Sequence, residues 1–541
     1  GKVIRKTSQV LQASESNFSR SSLMTFSLFE LICQALSQIN NAEFRIDAGN
    51  SYFKRRLKQI VITCPTAMTY KEQSYLKKSL EDAVFLAQKY YDTELLAENV
   101  KIYPSSVGFL FDEEEERVWK YDEATCSQIA FLYGELVDKF KGNHELFFKY
   151  KGKKRKGTLE EDKESVTIAS IDIGGGTTDL MICNYQPDSE SEIPYIKPKP
   201  LFWEGFNIAG DDIIKRIIEY VILPEIEKNI RDLGGINIEE GMNYLFGPNL
   251  GNQSAAHRIF RKQFANQVAN CCAYAALNHV TNSEHVNAKK TIGDIFKNFS
   301  KPKNNLIPYI EKTIKTQCGL EEFNFYDILI DFDTLKINYA ISDILKPVVE
   351  QMTKLVSVFD CDILLLTGKP SNLPIIRELF SKTVVVSPDK IISLGDYKIG
   401  TWFPFANSVG DIKDPKTTVI VGALISLLSS INRLPDFRID LTELNNIDST
   451  ANIIGVMDNN NASIPNDKVM FDEDAMEGEF KFYGAPITIG MRQLASEDWI
   501  SSPLYVFDFS YDELREKISK EEFEYPFTIN INRDGENKEE L

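Results

Sequence analysis

Apolar residues recur every three to four positions through SSLMTFSLFELICQALSQIN, and this spacing predicts a helix over about 23–39. The run QIVIT at 59–63 is continuous rather than periodic and predicts a buried strand. Pro65 ends it, and a second helical pattern spans about 70–91. Strand, turn and helix in succession is the repeating unit of an α/β domain. From Ser165 the text becomes strand-like: SVTIASIDI, a glycine-rich turn, DLMICNY, and then PLFWEGF before a helix at about 211–227. Positions 228–328 are mostly helical in pattern, broken at Gly234-Gly235 and near Pro302, and read as an inserted subdomain. A long helix over 334–358, the strand DILLLT, and a helix over 374–382 follow. VIVGALISLL, 419–428, reads as a buried helix.

Beyond Arg433 the runs NIIGV, EFKFYGAPITIGMRQL, PLYVFDF and PFTININ alternate apolar and polar residues between Asn, Asp, Gly and Pro. They predict a strand-rich module over 434–541, with the terminal DGENKEEL frayed. Three parts result: 1–164, 165–433 with a helical insertion at about 228–330, and 434–541. A length of 541 residues agrees, since it exceeds one ordinary core and fits about two to four domains.

The net charge of -18 argues against bulk attraction to nucleic acid or anionic lipid. The first fifteen or so residues are polar. The acidic run at 112–116, the basic KGKKRK at 151–156 and the acids at 160–164 are expected on solvated loops. Eight cysteines without a CxxC and four histidines without an HExxH argue against a disulfide framework and the common zinc modules. The apolar run at 419–428 falls short of the roughly 18 to 20 residues that cross a bilayer, so no membrane span is expected. The chain starts Gly1-Lys2 with no signal-peptide core, which predicts a cytoplasmic location and a fragment or processed product.

The chemistry concentrates in Asp172 to Asp179, DIGGGTTD. Gly174, Gly175 and Gly176 let backbone N–H groups converge on an anion, and Thr177 and Thr178 add hydroxyl donors. Both flanks read as strands, so a glycine-tipped hairpin is expected rather than a Walker or Rossmann loop; neither GxxxxGK[ST] nor GxGxxG occurs in it. Asp172 and Asp179 would repel phosphate unless a hard cation stood between them, and magnesium suits that place. The bland alternative is a tight turn whose aspartates face water. DILLLTGKPSNLPIIRELF forms a second strand-turn-helix, with Asn372 placed to cap and Pro374 in the first helical turn.

Together these segments resemble, in motifs and order, the actin/Hsp70/sugar-kinase superfamily. DIGGGTTD looks like its second phosphate motif, ILLLTGKPSNLP like its adenosine motif with Lys369-Pro370 in place of small residues, and VITCPTAMTYKEQSYLKKSLEDA like the Hsp70 strand-proline-helix segment. Asp122-Glu123-Ala124-Thr125 is similar to the segment bringing an acid to the magnesium-bound water, with Glu123 the matching acid. GFNIAGDDI is similar to the glycine-acid turn after the hairpin. The resemblance implies an α/β fold, an actin/Hsp70-like (ribonuclease H-like) two-lobed ATPase core. Asp172 and Asp179 would orient hydrated magnesium, Glu123 and Thr177 place the attacking water, and Gly174 to Gly176 with Thr178 hold phosphates. Gly210, Asp211 and the Gly368-Lys369 turn would border ribose and adenine.

LFWEGFNIAGDDII, LLLTGKPSNLP, DIKDPKTTVIVGALISLL and GAPITIGMRQLASEDWISSPLY resemble the bacterial SrfB virulence-factor family over nearly the whole chain. The superfamily's first phosphate motif, a DxG hairpin with a nearby basic residue, has no match before Asp172, so the core is expected to be incomplete at its amino terminus. The expectation is a slow ATPase binding Mg-ATP and a protein partner. An inactive interaction scaffold or a small-molecule kinase are the alternatives, and assembly into an oligomer or filament stays open.

Overall fold

Residues 164–173 and 178–188 build the centre of the main sheet because their apolar runs are long enough to be buried on both faces. The computed structural model describes residues 18–533 apart from 48, 50–51, 67, 69, 92–93, 105–120, 157, 159–160, 189–194, 248–254, 283–286, 303–304, 442–443, 445–451, 459–461, 473–474, 485 and 508–525. The polar first fifteen residues, the acidic run at 112–116 and the terminal DGENKEEL lie outside the described residues.

The elements that position the site are, in chain order, α1 (Arg20–Ile39), β1 (Leu57–Val61), α2 (Tyr70–Tyr90), β2 (Leu96–Tyr103), α3 (Glu123–Tyr133), β3 (Glu164–Ile173), β4 (Thr178–Asp188), β5 (Tyr195–Phe206), α4 (Gly210–Ile217), α5 (Thr334–Val358), β6 (Ile363–Thr367), β7 (Ile391–Ser393) and α6 (Thr417–Ser430). The strand order is β7-β6-β3-β4-β5. β3 pairs β4 antiparallel and β4 pairs β5 antiparallel, whereas β6 runs parallel to both β3 and β7. β3 is buried at every position after Glu164.

The chain forms two compact units. One comprises Met24–Asn207, Glu350–Lys369 and Thr383–Leu541; the other comprises Gly1–Leu23, Ile208–Val349 and Pro370–Lys382. In the first, Ile129, Phe131 and Leu132 of α3 and Val421 and Ile425 of α6 join Ile168 and Met181 of the sheet in one core. A second cluster forms where Ile32 and Leu36 of α1 meet Leu80, Ala83 and Val84 of α2 and Leu96 of β2. β1 and β2 pair parallel as a two-stranded sheet.

The carboxy-terminal strands also belong to the first unit. Val469–Phe471, Ile453–Val456, Ile487–Arg492 and Ser502–Phe507 form a four-stranded sheet in that order, and Glu477–Phe482 pairs Phe527–Asn532. Ser502 Oγ donates to the Gly205 carbonyl at 3.0 Å, tying this sheet to β5. In the other unit, the region expected to be helical carries one short antiparallel ribbon, Ala288–Thr291 with Leu329–Phe332.

Three local expectations change. Arg155 of the basic run is no solvated side chain: its guanidinium pairs Asp362 at 2.6 Å and donates to the Ser165 carbonyl at 2.8 Å. Asn372 does not cap the following helix, because among the described residues its buried Oδ1 has no hydrogen-bond partner. α1 is long and apolar enough, by length and composition, to cross a membrane. The same composition serves a helix with one face in a core, which is where Ile32 and Leu36 lie.

Candidate functional site

The hairpin expected around the glycines is present, because antiparallel β3 and β4 run into it from both sides and the Gly174 N–H donates to the Thr177 carbonyl at 2.9 Å. One of the three glycine amides therefore closes the turn. A Cβ on Gly174 would stand 2.9 Å from that carbonyl, so the fold itself asks for glycine there. Gly176 differs: its φ is outside the left-handed region and a Cβ would meet nothing within 4 Å. Gly175 and Gly176 are exposed.

Asp172 and Asp179 are register partners across β3 and β4, and partners in an antiparallel pair project to the same face. Both are almost fully buried. Thr177 Oγ1 donates to Asp179 Oδ2 at 3.4 Å, but Asp172 Oδ1 and Asp179 Oδ1 have no hydrogen-bond partner among the described residues. Burial pushes the Asp172 carboxyl up to about 7, with Glu123 adding to the rise and Lys416 opposing it. Asp179 is held well above the usual carboxylate range by burial, then by Asp172 and Glu123. Two buried acids facing each other cannot both ionise cheaply without a counter-charge.

Glu123 opens α3, half-buried, and its N–H donates to the Cys64 carbonyl at 2.9 Å. Asp122 caps the helix: its Oδ1 accepts from the Thr125 N–H and from Thr66 Oγ1, each at 2.9 Å. The proline loop after β1 and the start of α3 are thereby fixed together. Desolvation raises the Glu123 carboxyl, with Lys416 the largest opposing influence.

β6 ends beside the aspartates, since Thr367 pairs in register with Asp172; its buried hydroxyl has no hydrogen-bond partner among the described residues. Gly368 turns away at φ 81°, where a Cβ would come 2.1 Å from the Ile173 carbonyl and 2.7 Å from Asp172 Oδ1. Only glycine fits so close to the carboxylate. Lys369 next to it is exposed. The fold thus gathers Glu123, Asp172, Gly174 to Gly176, Thr177, Thr178, Asp179, Gly368 and Lys369 into one compact unit. Gly210 and Asp211 open α4 in the other unit, where Asp212 Oδ2 accepts from the Ala209 N–H at 3.0 Å.

Two residues escaped the sequence reading. Glu204 pairs Leu180 in β5, is buried, and has its carboxyl pushed up to about 8 by burial. The Gln493 amide nitrogen faces Glu204 Oε2 and the Trp203 carbonyl, both at 2.9 Å. Its signal was a lone acid between Phe202 and Phe206 at strand spacing. Lys416, just before α6, acts on both Glu123 and Asp172. Its signal was a cation at a helix amino terminus, where the dipole disfavours one. Among the described residues no group of three or more His, Cys, Asp or Glu is arranged to hold a metal ion.

A model of the family described as virulence factor SrfB matches residues 1–541, the whole chain. The chain belongs to the SrfB family. No curated protein matches it. The SrfB description names virulence and specifies no reaction, so the chemistry has to be argued from the aspartate pair.

Proposed function

We propose that this SrfB-family chain is an actin/Hsp70-like Mg-ATP-binding protein, a slow ATPase that couples lobe closure to contact with a protein partner. The observation carrying the proposal is the pair Asp172 and Asp179, opposite each other at a glycine hairpin, buried, each with an orphaned carboxylate oxygen. Buried carboxylate oxygens without partners call for a cation. They sit at the carboxyl ends of the parallel strands β3 and β6, where α/β sheets bind ligands. The sheet order, with three antiparallel strands followed by two parallel ones, favours the ribonuclease H-like fold.

Magnesium fits the donor set, since it is held through one or two carboxylates and several waters rather than by an all-protein cage. Bound there, it would neutralise charge on the phosphates. Asp172 and Asp179 would hold that hydrated ion, and Glu123, raised in pKa, would accept a proton from the attacking water with Thr177 orienting it. The amides of Gly175 and Gly176, bare of side chains, would face the phosphates. That Gly176 is required neither by φ nor by space supports this role.

Calorimetric titration of ATP with and without magnesium tests the proposal: binding should depend on magnesium, and Asp172→Ala should abolish the dependence. Unchanged magnesium-dependent binding in the variant would overturn it. One observation favours an inactive scaffold instead: among the described residues the part before α3 supplies only the two-stranded sheet β1–β2. Tight ATP binding would count against that reading.

A further inference from the structure

The carboxylates at the hairpin are unbalanced by any ion pair: among the described residues, neither Asp172, Asp179 nor Glu123 lies within 4.0 Å of a basic nitrogen. The basic side chain that acts on two of them comes from a distant part of the sequence. α6 rests directly on α3, because Gly422 lies so close to the Cys126 backbone that a Cβ would stand 1.8 Å from the Cys126 carbonyl oxygen. In the same contact the buried hydroxyls of Ser127 and Thr418 approach to 3.2 Å. Ser127 is one helical turn beyond Glu123, and Thr418 is two residues beyond Lys416, so the packing brings the root of the lysine side chain to the start of α3.

Lys416 is exposed, and its own N–H is engaged by Asp414 Oδ1 at 3.0 Å in the turn that opens α6. The turn fixes the backbone and leaves the residue exposed. A lysine here stands against the helix dipole, and among the described residues no carboxylate within ion-pair distance compensates it. The Ser127–Thr418 contact sets that charge beside the amino terminus of α3, where Glu123 stands.

From this arrangement we infer that Lys416 is a phosphate-contacting residue of the nucleotide site, donating from its ammonium to the polyphosphate of bound ATP. The inference rests on the Mg-ATP reading above. A point charge on a flexible stem suits phosphate, and an exposed one is available to it without breaking an existing pair.

The test is calorimetry on the full chain with ATP as probe, in magnesium and again in EDTA, beside Asp172→Ala. Lys416→Met should weaken ATP about tenfold in magnesium, and by a similar factor in EDTA where binding is measurable there, as loss of one charge-assisted contact does, and Lys416→Arg should recover most of it. Melting temperatures should stay at the wild-type value, and Lys416→Gln replaces the Met variant if that one melts early. Wild-type affinity in the Met or Gln variant overturns the inference while leaving the Mg-ATP reading intact. Where the wild-type chain still binds ATP in EDTA, a loss confined to magnesium also overturns it, because the lysine would then act only through the acids; where it binds in magnesium alone, the magnesium titration decides. If the wild-type chain binds no ATP in either buffer, the Mg-ATP reading itself falls and takes this inference with it.

Discussion

Asp172 holds a proton at a pH where an ordinary aspartate has lost it, and this has a thermodynamic sign. Its carboxyl titrates at about 7 in the folded chain against 3.8 for an unperturbed one. Between those values the folded state binds a proton that the unfolded state has released, so stability from this group is present at low pH and is lost as pH rises toward 7. In metal-free buffer Asp172→Asn should therefore melt above the wild type at pH 8, with a gain of the order of 3 kcal/mol, and the gap should close toward pH 4. Thermal unfolding of the two chains across that range checks it; a gap independent of pH would show that the carboxyl is not buried as described. The hairpin around Asp172 was legible because three successive glycines between two strand-like runs announce a tight turn by type. Glu204 and Lys416 were not, since their meaning depends on residues brought close only by folding: Gln493 for the first, Glu123 and Asp172 for the second.

At the scale of elements, the hairpin is held by strands and its flanking acid by helices, and the helices are the more exacting part. Gly422 lets α6 lie against the α3 backbone at Cys126, with no side chain between them. Gly422→Ala forces a methyl against a carbonyl oxygen that cannot swing aside, so the helices must separate. A cost of about 3 kcal/mol is expected in chemical denaturation, above the usual range for surface changes. A variant as stable as the wild type would mean that the helix pair is looser than described. The individual strands and helices were readable from period and punctuation: 334–358 predicted a helix and Thr334–Val358 is one. Some interruptions were not. The helix expected over 211–227 is α4, then a π-helical turn at Ile218–Ile222, then Leu223–Asp232, because local hydrogen-bond register leaves no mark on hydrophobic spacing.

For the whole molecule, sequence order and spatial order diverge. Residues 350–369 contribute β6 to a sheet whose other long strands lie some 150 residues earlier, and 370–382 return to the other unit. Nothing in a run such as DILLLT says which neighbour it will choose, so the division into units could only come from the contacts. The two-stranded sheet belongs at this scale as well. The outer edge of β1 carries no strand among the described residues, and beside it Leu28, Leu31, Ala35, Leu57 and Ile60 line an apolar cavity of about 380 Å³. An open edge next to greasy side chains offers unpaired backbone groups as a template onto which another extended chain, such as a second copy unfolding nearby, can pair. The protein should thus be handled as a colloid with a sticky rim. Clouding of concentrated solutions, followed by light scattering, should be delayed by Leu31→Lys, whose side chain is exposed, and a variant that clouds as fast as the wild type would clear this edge of blame.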